Sequence, residues 1–302
     1  VIGGFETAVI ASRILKLSAE ELWNALALAF NRAGASLQAN VDASLAVRVI
    51  QGWVSQSGIT CARLAKLGIT GPENFLEGVY GYFHLYAKGT LDPETVVGEF
   101  GERFDLQKVV FKKYPCCGMN QGPTQLILNL MKDHHLAAEE VEKINITVPP
   151  YCYKLVGHPF RLGDNPRVNA QFSIQYCVAN ALMRGSSKLQ HFEESNVKDP
   201  KIMELAQRVY VTADAALDQR GHTALDMEVS MKGGGVYQGS VDIAIGFPGN
   251  PLSQEEHEQR FWDCMDYAPR PLARNRAEEL ISLVAGLEDL DDVRSLVGLL
   301  LI

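Results

Sequence analysis

The stretch Asp226–Lys232 (DMEVSMK), Gly233-Gly234-Gly235 and Val236–Ile245 (VYQGSVDIAI) decides the fold class. Two strand-like runs flank three glycines, which supply the turn, so the stretch predicts a β-hairpin in a chain whose ends read as helices. Upstream, Glu142–Val148 (EKINITV) alternates like a strand and Val209–Thr212 is another strand candidate, while Gly122–Asp133 and the apolar run Asn169–Met183 read as helices. Gln107–Phe111 is a further short strand candidate. Strands and helices mixed over this span predict a compact α+β domain.

Outside it the pattern is helical. Ser18-Ala19-Glu20-Glu21 and Ser253-Gln254-Glu255-Glu256 have the form of capping boxes, each followed by apolar residues at helical spacing. A helix over Gly52–Leu67 is expected to stop at Gly68, and Pro72 is placed to open the next short helix. The aromatic cluster Phe75, Tyr80, Tyr82, Phe83 and Tyr86 is expected to pack a core. One or two more helices fill the last thirty residues. The layout is mostly α: helical over 1–103, an α+β segment over 104–248, and helices again over 249–302, as if one domain were inserted into another.

Composition narrows the function classes. The 302 residues are 47% apolar and 21% charged with a net charge of −8, a globular composition with no basic stripe for nucleic acid. No apolar run reaches membrane-spanning length; Val297–Ile302 is far too short. Val1-Ile2-Gly3-Gly4 carries no initiator Met and no signal-peptide pattern, and six scattered cysteines without a CxxC pair fit free thiols in a reducing cytoplasm rather than a zinc site. His134-His135 points two ways on a helix, Gly233–Gly235 lacks the Gly-Lys-Ser/Thr of a phosphate loop, and Glu288–Asp292 reads as a solvated helix start.

The chemistry-bearing stretch is Phe111-Lys112-Lys113-Tyr114-Pro115-Cys116-Cys117-Gly118: two cations, a rigid proline turn and two thiols. A lysine beside such a turn can pair with a small carboxylate or, once buried, serve as a base. The competing reading is two solvated lysines beside two core cysteines.

Four segments in order resemble the MmgE/PrpD family: Gly52–Gly58 (GWVSQSG) with Gly68–Pro72 and Leu76–Gly78; Phe111–Cys117; Asn169–Tyr176 (NAQFSIQY); and Gly249–Ser253 (GNPLS). The resemblance implies a large all-helical domain built from both chain ends with an inserted, smaller α+β lid, an active site between them, and a homodimer. It also implies a cofactor-free lyase, similar to 2-methylcitrate dehydratase, that removes a proton next to a carboxylate of a small di- or tricarboxylate. The other readings are an epimerase of a dicarboxylate such as iminodisuccinate, and a truncated, non-catalytic binding protein. Carried onto this sequence, Lys112 falls on the family's second-segment lysine, and Cys117 on the position where decarboxylase-like members have a His; both are candidate catalytic groups. Arg48, His158 and Arg161 are candidate substrate-binding residues. In the family's K-x-L-H-P-G segment the Lys falls on Val47 and the His on Ile50, so Arg48 is the remaining cation there. The family's preceding third, with its catalytic Asp and other His, is expected to be missing from these residues. No metal or cofactor is expected.

Overall fold

A computed structural model describes residues 2–34, 38–42, 44–88, 94 and 97–301; Val1 and Ile302 of the terminal runs lie outside the described residues. The chain divides into two units, residues 1–105 and 106–302.

The first unit is helical: α1 Ile2–Ile14, α2 Ala19–Asn31, α3 Ile50–Lys66 and the short α4 Tyr82–Tyr86. The α2 capping box forms as expected: Ser18 Oγ accepts the Glu21 N–H at 3.2 Å and Glu21 Oε2 accepts the Ser18 N–H at 2.7 Å. Small residues (Ala8, Ala11, Ala25, Ala29, Ala62 and Ala65) fill the helix contacts, so the backbones approach closely. Gly58 of α3 marks the tightest point, since a Cβ there would lie 2.6 Å from Thr7 Cβ and 2.7 Å from the Ala8 nitrogen of α1. Gly58→Ala is therefore expected to destabilise this unit by about 1–3 kcal/mol. The urea midpoint followed by Trp23 and Trp53 fluorescence tests it; an unchanged midpoint would mean that α1 and α3 part at no cost.

Phe75, Tyr82, Phe83 and Tyr86 do cluster, together with Phe5, Trp23 and Phe30, whereas Tyr80 is exposed. Pro72 opens no helix. Residues 73–80 run as tight turns, with the Gly78 N–H on the Asn74 carbonyl and the Gly81 N–H on the Gly78 carbonyl. These turns consume the backbone groups that a helix would need.

The second unit carries one four-stranded sheet of β1 Val141–Val148, β2 Val209–Ala213, β3 Leu225–Met231 and β4 Val236–Val241, in the order β2-β1-β3-β4. Strand β1 runs parallel to β2 and antiparallel to β3. The β3–β4 hairpin is the expected one, with the Gly234 N–H on the Met231 carbonyl and Gly234 at φ 87°. Ile144, Ile146 and Val148 point into the core, while Lys143, Asn145 and Thr147 occupy the opposite face. The buried face packs under α5 Gln121–His134, α7 Ile174–Arg184 and α8 Pro200–Ala206, with the fully buried Tyr176 among its largest side chains.

Two sequence expectations fail here for physical reasons. Gln107–Phe111 is no strand: it finishes a 3-10 turn and then runs irregularly, its one sheet-like bond being the Phe111 N–H on the Gly246 carbonyl. Asn169–Met183 is two helices rather than one, α6 Pro166–Gln171 and α7. Ser173 interrupts the run by capping α7, its Oγ accepting the Tyr176 N–H at 3.2 Å.

The C-terminal helices are α9 Gln254–Tyr267, α10 Arg274–Ala285 and α11 Arg294–Leu300, and by their contacts they group with the second unit. Ser253 and Glu256 close the second capping box, and Lys188 reaches Asp263 of α9 at 3.1 Å. Asp292, at the end of the acidic run, precedes α11 and accepts the Arg294 N–H at 2.9 Å. The described residues are mostly helical with a single small sheet. Among the described residues no helix is long and apolar enough to cross a membrane.

Candidate functional site

The loop 111–117 is held from three directions. At its start, the Phe111 N–H bonds the Gly246 carbonyl at 2.9 Å, and the Phe111 ring meets His257 and the Arg260 guanidinium of α9. In its middle, Pro115 makes a tight turn: the Cys116 N–H returns to the Tyr114 carbonyl at 2.8 Å, across three residues. At its end, the Cys117 N–H bonds the Gln171 carbonyl at 2.9 Å, drawing on the last turn of α6. The break between α6 and α7 thus leaves a carbonyl that seats Cys117.

The two lysines of the loop part company. Lys113 is half-buried and ion-paired, its Nζ 2.6 Å from Glu256 Oε1 of α9 and 2.8 Å from Gln125 Oε1 of α5. It ties the loop to two helices. Lys112 is exposed, and its carbonyl accepts a bond from Arg260 at 3.1 Å. Its side chain stays outside that brace.

Cys117 is half-buried, whereas Cys116 is buried in the core beside Cys177. Burial pushes the Cys117 thiol above its ordinary pKa, and the charge of Cys116 adds to the rise; the Met119 and Gly118 backbone N–H groups and the Lys112 charge pull the other way. Lys112 therefore lies close enough to act on this thiol. Burial together with the proximity of Cys117 raises the Cys152 thiol to about 12. Both groups are neutral thiols at neutral pH.

From Cys152 the chain enters a single π-helical turn, Tyr153–Gly157, and leaves it at His158. Gly157 is required there because a Cβ would lie 2.6 Å from Tyr153 Cδ2. Gln175 of α7 donates to the Gly157 carbonyl at 2.8 Å and fixes the turn. Such turns recur at functional sites because they re-aim the following residues. The exposed His158 ring sits 5.2 Å from the Tyr153 ring, and Arg161 lies exposed three residues on.

The structure thus brings Lys112 and Cys117 together on one loop, and connects them through Cys152 and Tyr153 to His158. Arg161 follows in the same exposed segment. Arg48 belongs to the first unit, exposed at the end of the 3-10 turn Leu45–Arg48. That unit also holds a cavity of about 550 Å³ lined in part by Arg32, Ile50, Trp53, Gln56 and Ser57. Among the described residues no group of three or more His, Cys, Asp or Glu side chains is placed to hold a metal ion. Sequence reasoning missed Gln121 and Gln171, whose amides shape the loop; nothing in their spacing announces it.

A cation beside a neutral thiol can bind a carboxylate and deliver a proton to the carbon next to it. Two family models meet this chain. The MmgE/PrpD C-terminal domain matches residues 114–288, and the MmgE/PrpD N-terminal domain matches residues 1–94. Among curated relatives, the cis-aconitate decarboxylase of Homo sapiens is 27% identical over 308 residues, covering 99% of this chain and 62% of the relative. That of Mus musculus is 26% identical, with 99% and 61% covered, and that of Aspergillus terreus 24% identical, with 99% and 63% covered. The chain spans less than two thirds of the length of these relatives.

Proposed function

The chain belongs to the MmgE/PrpD family, and from that premise we propose that it works as a lyase on a small di- or tricarboxylate, without a cofactor. The observation that carries this reading is the exposed Lys112 beside the half-buried, protonated Cys117 thiol. Lys112 pairs with a substrate carboxylate and stabilises enolate-like charge as it develops. Cys117 gives its proton to the carbanionic carbon, and the thiolate that remains regains one from water. His158 and Arg161 meet a second carboxylate, and Arg48 is a further candidate cation for a substrate carboxylate.

A thiol held protonated is a better acid than base, which favours loss of carbon dioxide followed by protonation over initial proton abstraction. The relatives named cis-aconitate decarboxylase point the same way. Dehydration of 2-methylcitrate and epimerisation of iminodisuccinate need a base first, and they form the second reading. The homodimer, the cytoplasmic location and the insertion of residues 104–248 into a helical domain belong to the same proposal.

The test is the purified chain with each of the three acids in D₂O. Release of carbon dioxide from cis-aconitate with one deuterium in the product is expected. Water loss from 2-methylcitrate or racemisation of iminodisuccinate, without decarboxylation, would move the assignment to the second reading. No turnover of any acid would leave a non-catalytic binding protein.

A further inference from the structure

In the turn that presents Cys117, two glutamine side chains bond backbone groups of Tyr114, Pro115 and Cys117. Gln121, completely buried at the first turn of α5, accepts the Tyr114 N–H on Oε1 at 2.9 Å and donates Nε2 to the Tyr114 carbonyl at 2.9 Å. The amide pairs with Tyr114 as a neighbouring strand would. Its Nε2 also reaches Cys116 Sγ at 3.3 Å and the Cys117 carbonyl at 3.4 Å. From the other side, Gln171 Nε2 donates to the Pro115 carbonyl at 2.8 Å while its own carbonyl takes the Cys117 N–H.

A buried amide with both ends used is replaceable by no other side chain of equal reach. Methionine matches the length and keeps neither bond; glutamate keeps the acceptor, and holds the donor only while protonated. We propose that Gln121 is a positioning residue, which holds the Tyr114–Cys117 turn so that the Cys117 thiol stays beside Lys112. The consequence for turnover rests on the proposed reaction. The positioning itself does not, and thiol chemistry reads it directly.

The experiment is the rate of iodoacetamide alkylation at Cys117 against pH, resolved from Cys116 and the exposed Cys264 by fragment mass spectrometry. It is run on the parent, on Gln121→Met, and on each combined with Lys112→Met. In the parent, loss of Lys112 is expected to shift the Cys117 profile to higher pH. In Gln121→Met the alkylation rate is expected to rise roughly tenfold as the unpaired Tyr114 groups open the turn. There Lys112→Met is expected to shift the profile no further.

A Gln121→Met profile that keeps both the parent rate and the parent Lys112 dependence would overturn the assignment, even with a lower melting temperature. If Gln121→Met does not fold, Gln171→Met removes the second hold on the turn and is judged by the same two readings. A shifted profile in a protein that turns over none of the three acids would keep the positioning and discard the reaction.

Discussion

Lys112→Ala is expected to lower kcat/KM for the polycarboxylate by roughly 10²- to 10⁴-fold while stability stays within about 0.5 kcal/mol of the parent. The two halves of that expectation have separate causes. Lys112 is exposed, and its one tie to α9 runs through its backbone carbonyl, which alanine keeps. The side chain contributes charge, which falls on the Cys117 thiol and on whatever carboxylate lies beside it. Removing it also removes a force that holds the thiol's pKa down, so Cys117 alkylation should begin at higher pH. Lys113→Ala is the control one residue away. It breaks the ion pair with Glu256 and the bond to Gln125, so its cost appears in stability first. Steady-state kinetics with a thermal melt on both variants separates them. Full turnover in Lys112→Ala would remove Lys112 from the chemistry and leave the family assignment untouched.

That contrast marks the limit of what the sequence could say. Both capping boxes, at Ser18 and Ser253, formed because they are written within four consecutive residues and need no distant partner. The hairpin around Gly233–Gly235 and the strand Val141–Val148 were legible for the same reason, being periodic over their own length. The division of Asn169–Met183 was not legible. Its apolar residues suit one helix, and what breaks it is tertiary: Ser173 caps the second half while the Gln171 carbonyl serves a loop 54 residues earlier (171 − 117). Gln107–Phe111 had strand-like composition but, among the described residues, no strand beside it with which to pair. At the site, the resemblance pointed to Lys112 and Cys117. It carried no sign of which lysine of the adjacent pair would be neutralised, because Glu256 lies 143 residues downstream. Gln121 and Gln171 escaped notice because a glutamine amide that substitutes for a strand leaves no pattern in the chain.

Gly246→Ala is expected to cost about 2–5 kcal/mol, the sum of a conformational penalty and a clash with backbone. Gly163 and Gly249 also pair a positive φ with a close approach, but only to the ends of the Asn169 and Ile243 side chains. Gly246 has φ 83°, in the left-handed region that a Cβ disfavours. A Cβ there would also lie 1.8 Å from the Phe111 carbonyl oxygen, which is backbone and cannot swing aside. Gly234 in the hairpin turn has φ 87° with open space around it, so Gly234→Ala carries the conformational penalty alone. Gly118 has neither problem, its added Cβ meeting only Phe247 Cζ at 3.4 Å. Thermal melts of the three variants should therefore rank Gly118→Ala above Gly234→Ala, and Gly234→Ala well above Gly246→Ala. A Gly246→Ala protein as stable as Gly234→Ala would show that Phe111 moves away freely. Its loop would then lose the Phe111–Gly246 bond at no cost, and the anchoring of residues 111–117 would rest on Gln121 and Gln125 of α5, on Gln171 and on α9. If Phe111 is as fixed as its bond to the Gly246 carbonyl implies, the variant loses stability and the placement of Lys112 together. Cys117 alkylation in whatever fraction stays folded should then resemble that of Lys112→Ala.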